Sequence, residues 1–178
     1  GSGVNLSGAR VWWMFRVFGH RRVRLLAGGL GGWKSEGRPL ESCVGRRGAA
    51  GDVRAALQPG QVRTLDQVRG ILESGSAQVV DARPAGRFRG VDPEPRAGLR
   101  GGHMPGARNL PYADLVDGTG RMLPPDSLRA RLQAAGIEPD RPVVATCGSG
   151  TSSCAVLLAL EVLGAPAGAL YDGSWTEW

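Results

Sequence analysis

The 178-residue sequence predicts an α/β fold in which a mainly parallel sheet is flanked by helices and preceded by a partial copy of its own closing unit. Three observations lead there. Short β-branched runs alternate with helical patterns from residue 61 onward, the order that builds a parallel sheet with helical crossovers. Each of those helical patterns stops at a glycine (Gly75, Gly136 and Gly164), the residue that most readily takes the left-handed turn closing a helix. The opening of the chain also repeats the pattern of its close at a fixed interval.

In chain order, the first helical pattern starts near Ser7, a candidate N-cap, carries Val11, Trp12, Phe15 and Phe18 at helical spacing and ends at Gly19. Val23 to Leu26 read as a short buried strand running into the turn Gly28-Gly29. Residues 42–60, rich in Gly, Arg and Ala with no sustained period, read as a linker. Thr64 to Ser74 form the second helix, with Thr64 and Gln67 in capping-box spacing. Ala77 to Asp81 is a strand ending in an acid. The Gly-, Pro- and Arg-rich stretch 83–106 is a long loop of the kind that carries function or wraps a domain. Pro124 to Ala135 is a helix, Pro142 to Thr146 a strand, Ser152 to Leu163 a helix, and Ala169 to Tyr171 the last strand.

The repeat is read from spacing. Phe18-Gly19 precedes Gly28-Gly29 by the interval at which Leu163-Gly164 precedes Gly173-Ser174, and Trp33 and Trp178 share one offset beyond their turns. Both copies read as helix, glycine stop, strand, glycine turn, tryptophan. Residues 1–33 therefore look like the closing unit of a first domain whose beginning is absent, and residues 61–178 like a second copy that is nearly whole.

Charge is uneven: residues 1–60 hold ten Lys/Arg against three Asp/Glu, and residues 61–178 twelve against thirteen, which together give the net +6. The acid-free run of Arg10, Arg16, Arg21, Arg22 and Arg24 has the composition of a mitochondrial transit peptide or a nucleic-acid patch. The repeat argues against both, because it already accounts for that helix as a core helix. The longest apolar stretch, Ala155 to Leu163, is broken by Glu161, so no membrane-spanning helix is expected. Three cysteines (Cys43, Cys147 and Cys154) without a secretory segment do not make a disulfide framework and point to reduced thiols inside the cell. With no CxxC and two histidines, no zinc or other metal site and no cofactor is expected.

The chemistry centres on Val143-Val144-Ala145-Thr146-Cys147-Gly148-Ser149-Gly150-Thr151-Ser152-Ser153-Cys154, a cysteine at the carboxyl end of a strand followed by small residues that open a helix. Gly148 and Gly150 let the backbone curl so that its N–H groups converge, and the helix N-terminus adds partial positive charge. Such a cradle stabilises a thiolate and makes Cys147 a nucleophile. Cys154 falls in the helix and reads as core; Cys43 falls in the linker and reads as incidental. A cysteine phosphatase would need an arginine six positions after the nucleophile to bind the phosphoryl oxygens, and that position is Ser153.

Four motifs together resemble the second domain of the two-domain rhodanese-like sulfurtransferases: Cys-Gly-Ser-Gly at 147–150, Gly-His-Met-Pro-Gly-Ala at 102–107, Gly-Arg-Phe-Arg-Gly at 86–90 with Glu94-Pro95-Arg96, and Asp172-Gly-Ser-Trp-Thr-Glu-Trp178. The loop is similar to that of the mercaptopyruvate branch and unlike the thiosulfate branch, which carries two basic residues after the cysteine. The resemblance covers nearly the whole chain. It implies a C-terminal remnant of a first, non-catalytic rhodanese-like domain at 1–41, a linker at 42–60 and a catalytic rhodanese-like domain at 61–178.

It further implies a ping-pong transfer in which Cys147 takes sulfur from 3-mercaptopyruvate, releases pyruvate, and passes the persulfide to thioredoxin, a small thiol or cyanide. The site residues carried over are Cys147 and Ser149 as catalytic, Arg87 and Arg96 as the donor's carboxylate forks, and Gly148, Ser149, Gly150, Thr151 and Ser152 as the persulfide cradle. The compartment implied is the cytoplasm and/or the mitochondrion, with neither nucleic acid nor membrane as a partner. His103 and Asp81 read as structural, the latter as a strand-end cap, while Arg83, Arg89 and Arg100 add positive potential without clear roles.

The chain departs from the family pattern in carrying Thr151-Ser152-Ser153 where the family has Val-Thr-Ala. It also lacks the histidine and aspartate that the family's first domain contributes, and it stops at Trp178, before the family's tail. Expected consequences are loose docking of residues 1–41, with exposed apolar faces on Trp12, Trp13 and Phe15, and turnover below that of a two-domain enzyme. The alternatives are a catalytically impaired rhodanese fragment or binding module and, less favoured by the loop, a thiosulfate sulfurtransferase.

Overall fold

The computed structural model describes residues 6–42, 48 and 51–178. Strands β1 (Val62–Arg63), β2 (Gln78–Asp81), β3 (Arg108–Asn109), β4 (Val143–Thr146) and β5 (Ala169–Tyr171) form one sheet in the order β1-β5-β4-β2-β3, every pair parallel. Every residue of β2 and β4 is buried, as expected of central strands covered on both faces. The register pairs Asp81 with Thr146, so the segments that follow these two strands open on the same edge of the sheet. That edge holds the nucleophile.

The helices are α1 (Leu6–Val17), α2 (Gly29–Ser35), α3 (Leu65–Ser74), α4 (Ala85–Arg89), α5 (Pro125–Ala134), α6 (Cys154–Val162) and α7 (Ser174–Glu177). One face of the sheet packs against α1, α5 and α6, the other against α3, Met104 and Trp175. The expected capping box is present: the Thr64 hydroxyl accepts from the Gln67 N–H, and the Gln67 side chain accepts from the Thr64 N–H at 3.0 Å. α6 is apolar almost all round because it lies between the sheet and α1, burying Ala155, Val156, Leu157, Ala159 and Leu160. Each such Val or Leu contributes about 1.5–3 kcal/mol relative to an exposed position.

The first third differs from expectation in three ways. α1 starts before Ser7, which therefore lies in the first turn and does not cap it. The buried face is Ala9, Trp12, Trp13 and Val17, whereas Val11, Met14, Phe15 and Phe18 are exposed. Residues 23–26 form no strand, because no strand among the described residues lies alongside to pair with their backbone groups. Nor is α1 loosely docked: Trp12 and Trp13 are buried in the core that contains Ala145 and Leu157, and Arg16 bonds Glu161 at 3.0 Å. The end of the expected linker is also tied down, with the N–H of Ala56 on the Phe18 carbonyl at 3.0 Å and that of Gln58 on the Val17 carbonyl at 2.7 Å.

The expected strand of the first copy is absent, but two of the spacings read from the sequence have counterparts in the structure. Gly29 and Ser174 are equivalent positions, share a φ of 55° and begin the equivalent helices α2 and α7. Arg16 and Glu161 stand at the same 145-residue offset and bond each other, so α1 and α6 pack side by side. The exposed Val11, Met14 and Phe15 correspond to Val156, Ala159 and Leu160, which are buried in the core with Val143 and Leu170.

Candidate active site

β4 delivers Cys147 to the carboxyl edge of the sheet, and residues 148–153 curl from it into α6. The curl is held from behind by the start of α7. The Trp175 N–H donates to the Cys147 carbonyl at 2.9 Å, while the Thr176 N–H and hydroxyl both donate to the Gly148 carbonyl, at 3.2 and 2.6 Å. The Cys147 N–H donates to the Ser174 hydroxyl oxygen at 3.3 Å, and that hydroxyl donates to the Tyr171 carbonyl at 2.9 Å. Ser174 keeps a left-handed backbone under this double constraint.

Two glycines leave room for groups that close over the loop. A Cβ on Gly148 would sit 2.8 Å from Nη2 of Arg87, so the missing side chain is what lets the guanidinium lie over the loop. Gly150 has φ of 77° and its Cα faces the Asp172 carboxylate too closely for any side chain.

The sulfur of Cys147 is buried at the floor of a cleft of about 310 Å³. Burial alone would push the thiol pKa up. The Ser152 hydroxyl, the N–H groups of Ser149 and Ser153, and the Ser153 hydroxyl outweigh that and hold it below the ordinary thiol value. Cys154 is the opposite case: burial pushes its pKa up to about 12, and its thiol donates to the Gly150 carbonyl at 3.4 Å. Cys43 lies outside the described residues.

Of the expected arginines, both line the cleft. Arg87, on α4, is clamped by Glu94 through Nε at 3.2 Å and Nη2 at 2.5 Å. Arg96 is exposed and has no hydrogen-bond or ion-pair partner among the described residues, which leaves its fork open. Ser149 and Thr151 line the cleft as well, and Ser149 presents its backbone N–H to the sulfur. His103 holds Phe88 by stacking at 3.8 Å and by Nδ1 against its carbonyl at 2.8 Å, a structural part.

Sequence reasoning missed four residues. Ser153 touches the sulfur at 3.6 Å although it stood outside the expected cradle. Glu94 is buried and bridges Arg83 and Arg87; burial would raise its pKa, but first Arg87 and then Arg83 hold its carboxyl below the usual range. Arg83 is not a diffuse positive charge: it is fully buried, forks onto Asp81 at 2.7 and 3.0 Å, and stacks over Trp175. Arg10, read as part of a basic run, reaches the loop from α1, bonding the Gly150 carbonyl at 3.3 Å and Asp172 at 2.5 Å. An acid spaced between arginines was the available signal for Glu94; Arg10 left none, because its partners lie far along the chain.

A larger cleft of about 550 Å³ lies between α1, residues 21–28 and α6, but its lining, apolar residues such as Trp12 and Met122 with Arg16, Arg21, Arg24 and Glu161, holds no nucleophile. Chemistry therefore assigns the site to the smaller cleft. Among the described residues no helix is long and apolar enough to cross a membrane.

Residues 64–178 match the rhodanese-like domain family. The chain is 44% identical over 172 residues to the human 3-mercaptopyruvate sulfurtransferase, covering 97% of the chain and 58% of that protein. It is 43% identical over 170 residues to the bovine thiosulfate sulfurtransferase, covering 95% of the chain and 57% of that protein. The crystal structure of SseA from Escherichia coli, described with the rhodanese fold of 3-mercaptopyruvate sulfotransferases, superposes with a TM-score of 0.84 at 39% identity, over 97% of this chain and 64% of that one. The chain thus spans a little over half the length of the curated relatives it matches.

Proposed function

This chain belongs to the rhodanese-like domain family, and from that premise we propose that it is a sulfurtransferase that draws sulfur from 3-mercaptopyruvate onto Cys147. The observation that carries the reading is a buried sulfur with a lowered pKa in a loop without charged side chains, below the open fork of Arg96 and the clamped fork of Arg87. The donor's carboxylate takes the arginines, each charge-assisted bond contributing about 1.5–3 kcal/mol. The thiolate attacks the donor sulfur, the S–S bond forms as the C–S bond breaks, and the electron pair leaves on the pyruvate enolate, which is then protonated to pyruvate. The loop's N–H groups and hydroxyls hold the charge of the thiolate before transfer and of the persulfide after it. An acceptor thiol, such as thioredoxin or a small thiol, or cyanide, then removes the outer sulfur.

A thiosulfate donor is the second reading, favoured by the names of the bovine and two Arabidopsis thaliana relatives. Its dianion would meet no cation from residues 148–153, whereas a carboxylate donor needs only the forks above them. We read residues 1–41 as the closing unit of a first rhodanese-like copy, residues 42–60 as linker and 61–178 as the catalytic domain, supported by the common 145-residue offset that relates Arg16 to Glu161 and Gly29 to Ser174. A compartment that keeps thiols reduced, cytoplasm and/or mitochondrion, suits the free cysteines.

Pyruvate release tests the reading. Without acceptor, one equivalent of pyruvate per Cys147 is expected from 3-mercaptopyruvate, followed by continued turnover once a thiol is added. Absence of any pyruvate burst would leave only the reading as a binding module.

A further inference from the structure

We propose that Ser153 is a further catalytic residue, whose hydroxyl turns its proton onto the Cys147 sulfur when that sulfur becomes a thiolate. The inference deepens the sulfurtransferase reading and rests on it for its purpose. Its evidence lies in one carbonyl.

The Gly150 carbonyl has two lone pairs and three side-chain donors around it: Nη1 of Arg10 at 3.3 Å, the Cys154 thiol at 3.4 Å and the Ser153 hydroxyl at 3.1 Å. Two of these donors are committed. Arg10 is a cation held in place by Asp172 and by stacking over Trp13 at 4.7 Å. Cys154 keeps its proton, since its pKa lies near 12. The third, Ser153, is fully buried, so water cannot take its hydrogen, and among the described residues its one other acceptor is Sγ of Cys147 at 3.6 Å. While Cys147 is a thiol, the serine can bond the carbonyl and accept from S–H. Once the thiol proton leaves, rotation about the Ser153 C–O bond gives the hydrogen to the anionic sulfur, and the carbonyl remains satisfied by Arg10 and Cys154. Donation to a charged acceptor is the stronger bond, so the switch favours the thiolate.

Charged and titratable groups surround this loop on the elements packed against it: Arg87 and Arg96 from the 83–106 segment with Glu94 between them, Tyr112 from the segment after β3, Arg10 from α1, Asp172 from the turn before α7, and Cys154 from α6. Of these only Tyr112 carries a hydroxyl, and it lines the open cleft and has no hydrogen bond to the sulfur. Ser152 also donates to the sulfur but lies at the cleft, where solvent and substrate compete for it.

The test is the pH profile of Cys147 alkylation by iodoacetamide in the full chain, followed by peptide mass spectrometry, for the parent and Ser153→Ala. Loss of the donor moves the midpoint to higher pH. Because a less acidic thiolate is also more nucleophilic, a roughly tenfold loss of thiolate lowers the acid limb about threefold while the alkaline plateau rises about threefold. A merely structural role would lower both limbs together, and that result, or superimposed profiles, overturns the proposal. Arg10→Gln is expected to shift the midpoint in the same direction and by more in the parent than in the Ser153→Ala background, where only the loss of its charge is felt; equal shifts in both would overturn the link through the Gly150 carbonyl. Neither readout involves a sulfur donor, so failure of the sulfurtransferase reading, seen as no persulfide from 3-mercaptopyruvate, is distinguishable from failure of this one.

Discussion

Cys147 and Cys154 stand at the two ends of one loop, both buried and both reduced, and the fold drives their pKa values in opposite directions. Burial is the largest influence on each and raises both. What separates them is the kind of group they face. Cys147 lies where two N–H groups and two hydroxyls converge as donors, whereas Cys154 has turned into the first turn of α6 and faces an acceptor, the Gly150 carbonyl, so that its proton is useful where it is. Reactivity in this loop is therefore a matter of donor direction and not of exposure.

The largest expected effect is in labelling. At neutral pH the thiolate fraction of Cys154 is on the order of 10⁻⁵, so iodoacetamide should modify Cys147 to completion and leave Cys154 untouched in the folded chain. Comparable labelling of the two by peptide mapping would break the comparison at once.

Alkaline stability is the next largest. Cys154 has a folded pKa raised to about 12 from an ordinary 9.0, so below 9 both folded and unfolded forms hold the proton and the shift costs nothing. Between 9 and about 12 the unfolded chain ionises while the folded one cannot, and stability falls by up to roughly 1.4 kcal/mol per pH unit. Cys147, with its pKa depressed, has the opposite sign: its contribution is present above the ordinary thiol value and is lost as pH falls through the folded one. Denaturant titrations of the parent and Cys154→Ala across this range should converge at high pH. Parallel curves would mean that the Cys154 thiol is not held in its protonated form.

A smaller effect sharpens the role of the cleft. Arg96→Ala and Arg87→Ala should each lower kcat/KM for 3-mercaptopyruvate by about ten- to a hundredfold, the loss of one charge-assisted fork. Arg87→Ala should also cost some folding stability, because it leaves Glu94 with Arg83 alone, whereas the unpaired Arg96 can be removed without that cost. Equal stability changes in the two variants would refute the distinction between a clamped and an open arginine.

What could be read before the structure was what local signals carry. The β-branched run into Cys147, the small residues after it, the capping box of Thr64 and Gln67 and the strands at 78–81 and 169–171 are all set by neighbours within a turn or two. The two-residue strands β1 and β3 carry too few residues to show a period, and they exist because β5 and β2 offer them an edge. Residues 23–26 have the composition of a strand and lack that edge. The buried face of α1 was misread because both of its sides are apolar, and only the packing of Trp12 and Trp13 against α6 decides between them. Arg10 with Asp172, and Glu94 between Arg83 and Arg87, are tertiary pairings for which composition offered only the charges.

The most direct test of the account is where sulfur goes. After incubation of the intact chain with 3-mercaptopyruvate without acceptor, alkylation and peptide mass spectrometry should find one added sulfur atom on Cys147, released by a later pulse of thiol, with Cys154 and Cys43 unmodified. Added sulfur on Cys154 or Cys43 in place of Cys147, or on none of the three, would contradict it.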